Sequence, residues 1–347
     1  EHAGSAIRLK RSVLSHADLI FPAMNESISS RECTSATIRY HGDMDLSGIY
    51  PPLPTPFSPD GSLDLAGLAA NLKSLADEPL AGFVLGGSNG EFSSLTLDER
   101  VEVVRAARQH LGPGRCVIAG AGLESTAATI ALTRRMAEAG ADAALVVTPG
   151  YFRSRMTTPA LDAHFRSVAD ASPLPVILYS VPANTGVDLP VEAVVSLSSH
   201  PNILGLKDSG GDITKFGRMA LECRPGFQLL AGSAGFLLPA LAIGAVGGIM
   251  ALANIAPRQL RRVLDAFQAR DLPGARAAQL PLILANTAVT TRYGVAGLKA
   301  ALDLLGRVGG LPRPPLLPLV PAERRDLVDI LSRAGLLSPS APHANEP

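Results

Sequence analysis

Eight short apolar runs, each ending in small or turn-forming residues and each followed by a longer helical pattern, constrain this chain more than any single motif. The runs are Gly48–Pro54, Gly82–Gly86, Cys116–Ala119, Ala143–Val147, Pro175–Tyr179, Ile203–Leu206, Gln228–Ala231 and Gly248–Leu252. They are apolar without alternation, the pattern of strands covered on both faces. Between them Leu65, Leu68, Leu72 and Leu75 recur at helical spacing. Thr96 and Glu99 form a capping box that opens a helix over Leu97–Leu111. Ser125 or Thr126 caps a helix running to Ala139, with Gly140 behind it, and Leu189-Pro190 opens another with its proline in the first turn. Eight strand–helix units over roughly 200–250 residues predict an α/β fold, a (β/α)₈ barrel. A doubly wound sheet would need a phosphate-cradling glycine loop after the first strand. Tyr50-Pro51-Pro52-Leu53-Pro54 is not such a loop.

Further helical stretches cover Pro257–Ala269, Pro273–Thr291 and Val295–Leu305. A Pro-rich link, Gly309–Pro318, leads to Pro321–Ala334, closed by Gly335. The link reads as a stiff connector rather than a ligand for a proline-binding module. The expected organisation is a barrel over 46–275, a C-terminal helical extension over 276–337, and two segments outside the fold, 1–45 and 338–347, both expected to be disordered. Residues 1–45 carry Arg8, Lys10, Arg11, Arg31, Arg39 and several serines, as an organelle transit peptide would. They also carry acidic residues, which such peptides normally lack.

Composition narrows the function classes. Lys and Arg together number 31 against 31 for Asp and Glu, so no polyanion partner is indicated. Trp is absent and aromatics are 4%, which leaves little to stack on nucleic-acid bases. No apolar run reaches the ~20 residues of a membrane helix, since Phe236–Ala253 is interrupted by Pro239 and three glycines. The 3 cysteines are far apart and the 7 histidines lack ligand spacing, so neither a disulfide framework nor a metal site is expected. His164 and His200 are expected on helix surfaces, and Glu91 is expected to support its loop rather than to react.

In a barrel the chemistry sits at the C-terminal ends of the strands. There, Lys207 stands in the apolar run Asn202-Ile-Leu-Gly-Leu-Lys207-Asp-Ser209. Burial disfavours an ammonium, and such an amine either finds a carboxylate or becomes a nucleophile. A neutral amine is what Schiff-base chemistry on a ketone needs. The alternative is an ammonium that reaches water or pairs with Asp208. After the second run, Gly86-Gly87-Ser88-Asn89-Gly90-Glu91 is either an ordinary glycine-rich turn or a nest of amides and a hydroxyl for a carboxylate. Tyr179 is either a satisfied core tyrosine or a general acid/base. Thr148-Pro149-Gly150-Tyr151 ends the fourth run, Ser209 follows Lys207, and Gly232 lies in the small-residue loop after the seventh.

Taken together these residues resemble the class I pyruvate-dependent aldolases and lyases of the dihydrodipicolinate synthase/N-acetylneuraminate lyase family. The matching elements are Gly48-x-x-Pro51-x-x-x-Thr55-Pro56-Phe57, Gly87-Ser88-Asn89-Gly90-Glu91, Thr148-Pro149 with Tyr151, Tyr179 with Pro182 and Gly186, and Gly205-Leu206-Lys207-Asp208. The resemblance covers roughly 46–337. It implies a Schiff-base lysine at Lys207, a proton-transferring Tyr179, and a relay through Ser88 to a Tyr151 supplied by a neighbouring subunit. Substrate contacts are expected from Gly87, Ser88, Asn89, Asn184, Ser209 and Gly232. The resemblance further implies a 2-oxo acid substrate, no cofactor, no metal, and a homotetramer built as a dimer of dimers. Within the family the likeness is to the mitochondrial branch that cleaves 4-hydroxy-2-oxoglutarate to pyruvate and glyoxylate. The synthases carry an arginine near the position of Asn184, where it binds the second substrate's carboxylate, and a threonine at the position of Asn89. Both departures put dihydrodipicolinate synthesis in doubt here. A synthase-like or other 2-oxo acid aldolase and a non-enzymatic 2-oxo acid sensor are the alternatives.

Overall fold

Eight buried parallel strands form one sheet: β1 Gly48–Tyr50, β2 Gly82–Leu85, β3 Cys116–Gly120, β4 Ala143–Val147, β5 Val176–Ser180, β6 Ile203–Asp208, β7 Gln228–Ala231 and β8 Ala245–Ile249. The computed structural model describes residues 44–337. The expectations for 338–347, and for 1–45 up to residue 43, lie outside them. The strand order β1-β8-β7-β6-β5-β4-β3-β2 is that of a barrel. Its last seam, between β1 and β2, closes through Pro52 opposite Val84, with Leu53 N donating to Val84 O at 2.9 Å. The fold is therefore a (β/α)₈ barrel.

The helices between strands are α1 Leu65–Leu75, α2 Leu97–Leu111, α3 Thr126–Glu138, α4 Thr158–Ala171, α5 Val191–Ser198, α6 Ile213–Glu222 and α7 Leu237–Ala242. The cap signals act as read. Thr96 and Glu99 close the capping box at 2.8 and 3.2 Å, and Ser125 caps α3. Pro190 sits at the cap of α5 rather than inside its first turn. Beyond β8 come α8 Pro257–Gln268, α9 Leu272–Gln279, α10 Leu282–Thr287, α11 Gly294–Leu304 and α12 Pro321–Arg333. The single helix expected over Pro273–Thr291 is broken near Pro281 and finishes in a wider turn over Ala288–Arg292. Proline has no amide to donate and crowds the preceding turn.

β8 begins three residues earlier than its apolar run suggested. Gly247 and Gly248 belong inside the strand, because a Cβ at Gly247 would lie 2.0 Å from Gly48 O. His164 and His200 are buried rather than on helix surfaces. His164 Nδ1 lies 2.9 Å from Thr126 Oγ1, and burial lowers its imidazole to about 4, so the ring is neutral. His200 Nε2 meets Asp170 at 2.9 Å. Among the described residues no helix is long and apolar enough to cross a membrane.

Two apolar layers hold the barrel. Val84, Ile118, Leu145, Ile177, Leu230 and Ile249 fill its interior. Phe83, Val117, Ala144, Leu178, Leu206 and Leu229 pack outward against the helices. β6 breaks simple alternation: Leu204 belongs to the inner layer but Leu206, two residues on, to the outer. The register explains it. Val176 pairs with Ile203 but Ile177 pairs with Gly205, so β6 carries one extra residue. Such a bulge re-aims every side chain after it, and it brings Lys207 opposite the inward-facing Tyr179. Gly205 is needed for this, since a Cβ there would stand 2.0 Å from Gln228 O on β7. Gly205→Ala is expected to lower stability by about 1–3 kcal/mol. The thermal midpoint checks it, and an unchanged midpoint would mean that the β6–β7 spacing does not require glycine.

Candidate active site

Lys207, near the C-terminal end of β6, is 3% exposed. Its Nζ lies 4.0 Å from the centroid of the Tyr179 ring, the adjacent residue on β5. Consecutive residues on a strand face opposite ways, and Asp208 accordingly turns from Lys207. It accepts from Gly210 N at 2.8 Å and meets Lys215 Nζ at 3.4 Å. Lys215 also binds Asp188, which accepts from Ser180 Oγ at 3.0 Å. Pairing of Lys207 with its sequence neighbour is thus not what the structure holds. The acid has its own cation, and the Lys207 amine faces a phenol and the barrel interior.

Tyr179 is buried, and its hydroxyl lies 3.3 Å from Ser88 Oγ. Burial by itself would raise the phenol. The Lys207 charge and hydrogen bonding from Ser88, Ser209 and Lys207 outweigh it and hold Tyr179 below the ordinary tyrosine value. A phenol so placed can accept and return a proton, the task of an acid/base group.

Ser88 and Asn89 start a single tight turn, Ser88–Gly90, directly after β2. Gly86 takes φ 63°, which turns the chain there and is open to a residue without Cβ. The first amides of a helical turn have no partner within it, so Ser88 and Asn89 can present N–H groups to an anion. Thr55 Oγ1 fastens the turn by donating to Gly90 O at 2.7 Å.

Ser88 also borders an open cavity of about 410 Å³ with Thr148, Val181 and Asn184. Asn184 is exposed in the short turn Pro182–Thr185 at this mouth. Glu124 is the one charged residue among those described that line the cavity, and its carboxylate accepts from Gly150 N and Tyr151 N at 3.0 and 2.9 Å.

The structure thus brings together Lys207, Tyr179, Ser88 and Ser209, with Gly87 and Asn89 beside Ser88. Tyr151 is not among them within one chain: its side chain is 79% exposed and meets Phe152 edge-on at 5.0 Å. Gly232 lies against Ser209, since a Cβ at Gly232 would stand 2.0 Å from Ser209 Oγ. Sequence reading missed Glu124, whose position beside the Tyr151 loop no local pattern reveals. It also missed Lys215, which lies only seven residues beyond Asp208 on the first turn of the next helix.

The profile of the dihydrodipicolinate synthetase family matches residues 45–334. The 4-hydroxy-tetrahydrodipicolinate synthase of Exiguobacterium sp. is 38% identical over 274 residues, 79% of this chain and 92% of that protein. The synthase of the same name from Mycolicibacterium paratuberculosis is 36% identical over 302 residues, 87% of this chain and 99% of that protein. Among solved structures, a dihydrodipicolinate synthase of Bacillus anthracis superposes with a TM-score of 0.80 at 31% identity, covering 83% of this chain and 98% of that one. A prophage protein of E. coli K12 from the dihydrodipicolinic acid synthase family, solved with pyruvate, superposes with a TM-score of 0.79 at 32% identity, covering 84% and 99%.

Proposed function

The chain belongs to the dihydrodipicolinate synthetase family, and from that premise we propose that it cleaves 4-hydroxy-2-oxoglutarate to pyruvate and glyoxylate through a Schiff base on Lys207. The observation that carries this is the buried Lys207 amine 4.0 Å from the Tyr179 ring, with the Tyr179 hydroxyl joined to Ser88. The unprotonated amine adds to the C2 ketone, and the carbinolamine hydroxyl takes up a proton and leaves as water, giving a protonated imine. Tyr179 takes the proton of the C4 hydroxyl. The C3–C4 bond breaks, its electron pair enters the imine to form an enamine, and C4 departs as the aldehyde of glyoxylate. Protonation at C3 and hydrolysis release pyruvate and restore the amine. The iminium is itself the electron sink.

Ser88 and Asn89 hold the C1 carboxylate with their amides and side chains. Ser209 supports the Tyr179 hydroxyl. Tyr151, exposed in one chain, reaches the Ser88 relay of a neighbouring copy, so the active form is a homo-oligomer, a dimer of dimers. Asn184 favours cleavage over synthesis. It offers the mouth of the cavity a neutral amide, near the place where the family resemblance implies an arginine in the synthases.

The second reading is condensation of pyruvate with another aldehyde, favoured by the names of the synthases that match this chain. Assaying glyoxylate release from 4-hydroxy-2-oxoglutarate beside pyruvate consumption with a panel of aldehydes separates the two. Glyoxylate release supports cleavage; consumption with another aldehyde, and no release, supports condensation.

One pH effect follows. Because the Ser88 hydrogen bond helps lower the Tyr179 phenol, removing it raises that phenol. Ser88→Ala should therefore move the ascending limb of the kcat/KM profile to higher pH. A limb that stays in place, or moves to lower pH, would mean that Tyr179 is not the group that must lose its proton.

A further inference from the structure

Glu91, directly after the Ser88–Gly90 turn, adopts φ 54°, a left-handed backbone that a residue with a Cβ rarely takes. Such strain persists where the surroundings over-determine it. Those surroundings come from the far end of the chain. Glu91 Oε1 and Lys299 Nζ, on α11, are 2.6 Å apart, and both side chains are 0% exposed. The other carboxylate oxygen accepts from Arg313 N at 2.8 Å. Lys299 Nζ donates to Leu311 O at 2.9 Å, and Lys299 and the Arg313 guanidinium both lie 4.3 Å from the Phe57 ring. Arg313 also pairs with Glu99 at the head of α2, at 2.8 Å. Gly309 lets the link pass over α11, since a Cβ there would stand 1.9 Å from Lys299 O. Glu91 N in turn donates to Ser88 O at 3.1 Å. A buried ion pair is an expensive way to hold two elements together, because both charges leave water. This one sits immediately behind the Ser88–Gly90 turn.

We propose that Glu91 and Lys299 are positioning residues for substrate binding. Their buried pair lets the C-terminal extension fix the Ser88–Gly90 turn with its amides and hydroxyl set for the 2-oxo acid carboxylate. The inference rests on reading that turn as the carboxylate site. The extension is then a component of the active site and not only a cover on the barrel.

The test uses the full chain, with pyruvate as the probe and borohydride trapping as the readout. It compares wild type, Lys299→Met and the double variant Glu91→Gln with Lys299→Met. Removing one partner leaves an unpaired buried charge and lowers the thermal midpoint. Neutralising both relieves that charge, and such replacements are often neutral or stabilising. The double variant is therefore expected to regain the thermal midpoint. Its half-saturating pyruvate concentration should stay raised about tenfold (about 1.4 kcal/mol of lost binding), with the final yield of adduct unchanged. Midpoint and half-saturation returning together to wild-type values would overturn the proposal and leave the pair a purely structural one. Trapping of pyruvate by wild type distinguishes this failure from that of the Schiff-base reading. If wild type forms no adduct, that reading falls, and this inference with it.

Discussion

Replacing Lys207 by alanine or methionine is expected to take cleavage of 4-hydroxy-2-oxoglutarate to the uncatalysed rate, a loss on the order of 10⁶-fold, while the barrel stays folded. Of the other lysines on the described chain, Lys215 is committed to Asp188 and Asp208, Lys299 to Glu91, and Lys73 is exposed on α1. The stability effect should have the opposite sign. Lys207 places an amine in an apolar interior at 3% exposure, which costs free energy that a methionine of similar length does not incur. Lys207→Met is therefore expected to keep or raise the thermal midpoint while losing turnover, the usual opposition between a working site and a stable one. Retained cleavage would remove the Schiff base from the account. Loss of the fold would mean that the lysine is structural.

Tyr179→Phe gives the second large effect and separates two roles. The aromatic ring remains beneath the Lys207 amine, so packing and the cation–π contact at 4.0 Å survive. Only the hydroxyl that meets Ser88 at 3.3 Å is lost. Turnover should fall about 10²–10⁴-fold, the usual contribution of a positioned acid/base group. The pyruvate concentration that half-saturates borohydride trapping should change little, because the carboxylate site proposed at Ser88 and Asn89 is left intact. Equal losses in turnover and in pyruvate affinity would show that Tyr179 orients the substrate and moves no proton.

The residues that locate the site were legible because barrel geometry and apolar patterning act locally. Runs buried on both faces give the strands, and a lysine or tyrosine at the end of such a run points to the catalytic end of a barrel. What was hidden depends on contacts distant in sequence. The inward aim of Lys207 follows from an extra residue in β6 that only its pairing with β5 reveals. By simple alternation from Leu204, Lys207 would face the helices. The start of β8 was missed because Gly247 looks like a turn residue until Gly48 is seen to press against it. Glu91 was read as a support for its loop, but its partner Lys299 lies on a helix of the C-terminal extension that no pattern near Glu91 could indicate. The burial of His164 and His200 was missed for the same reason: His164 meets Thr126 on α3, and His200, just past α5, meets Asp170 on α4.

The measurement that bears most directly on the central claim is peptide mass mapping of the protein reduced with borohydride in the presence of pyruvate. A single pyruvate-derived adduct on the peptide carrying Lys207, absent from Lys207→Met, is the predicted result. An adduct on Lys215, Lys299 or another lysine, or no adduct at all, would contradict it.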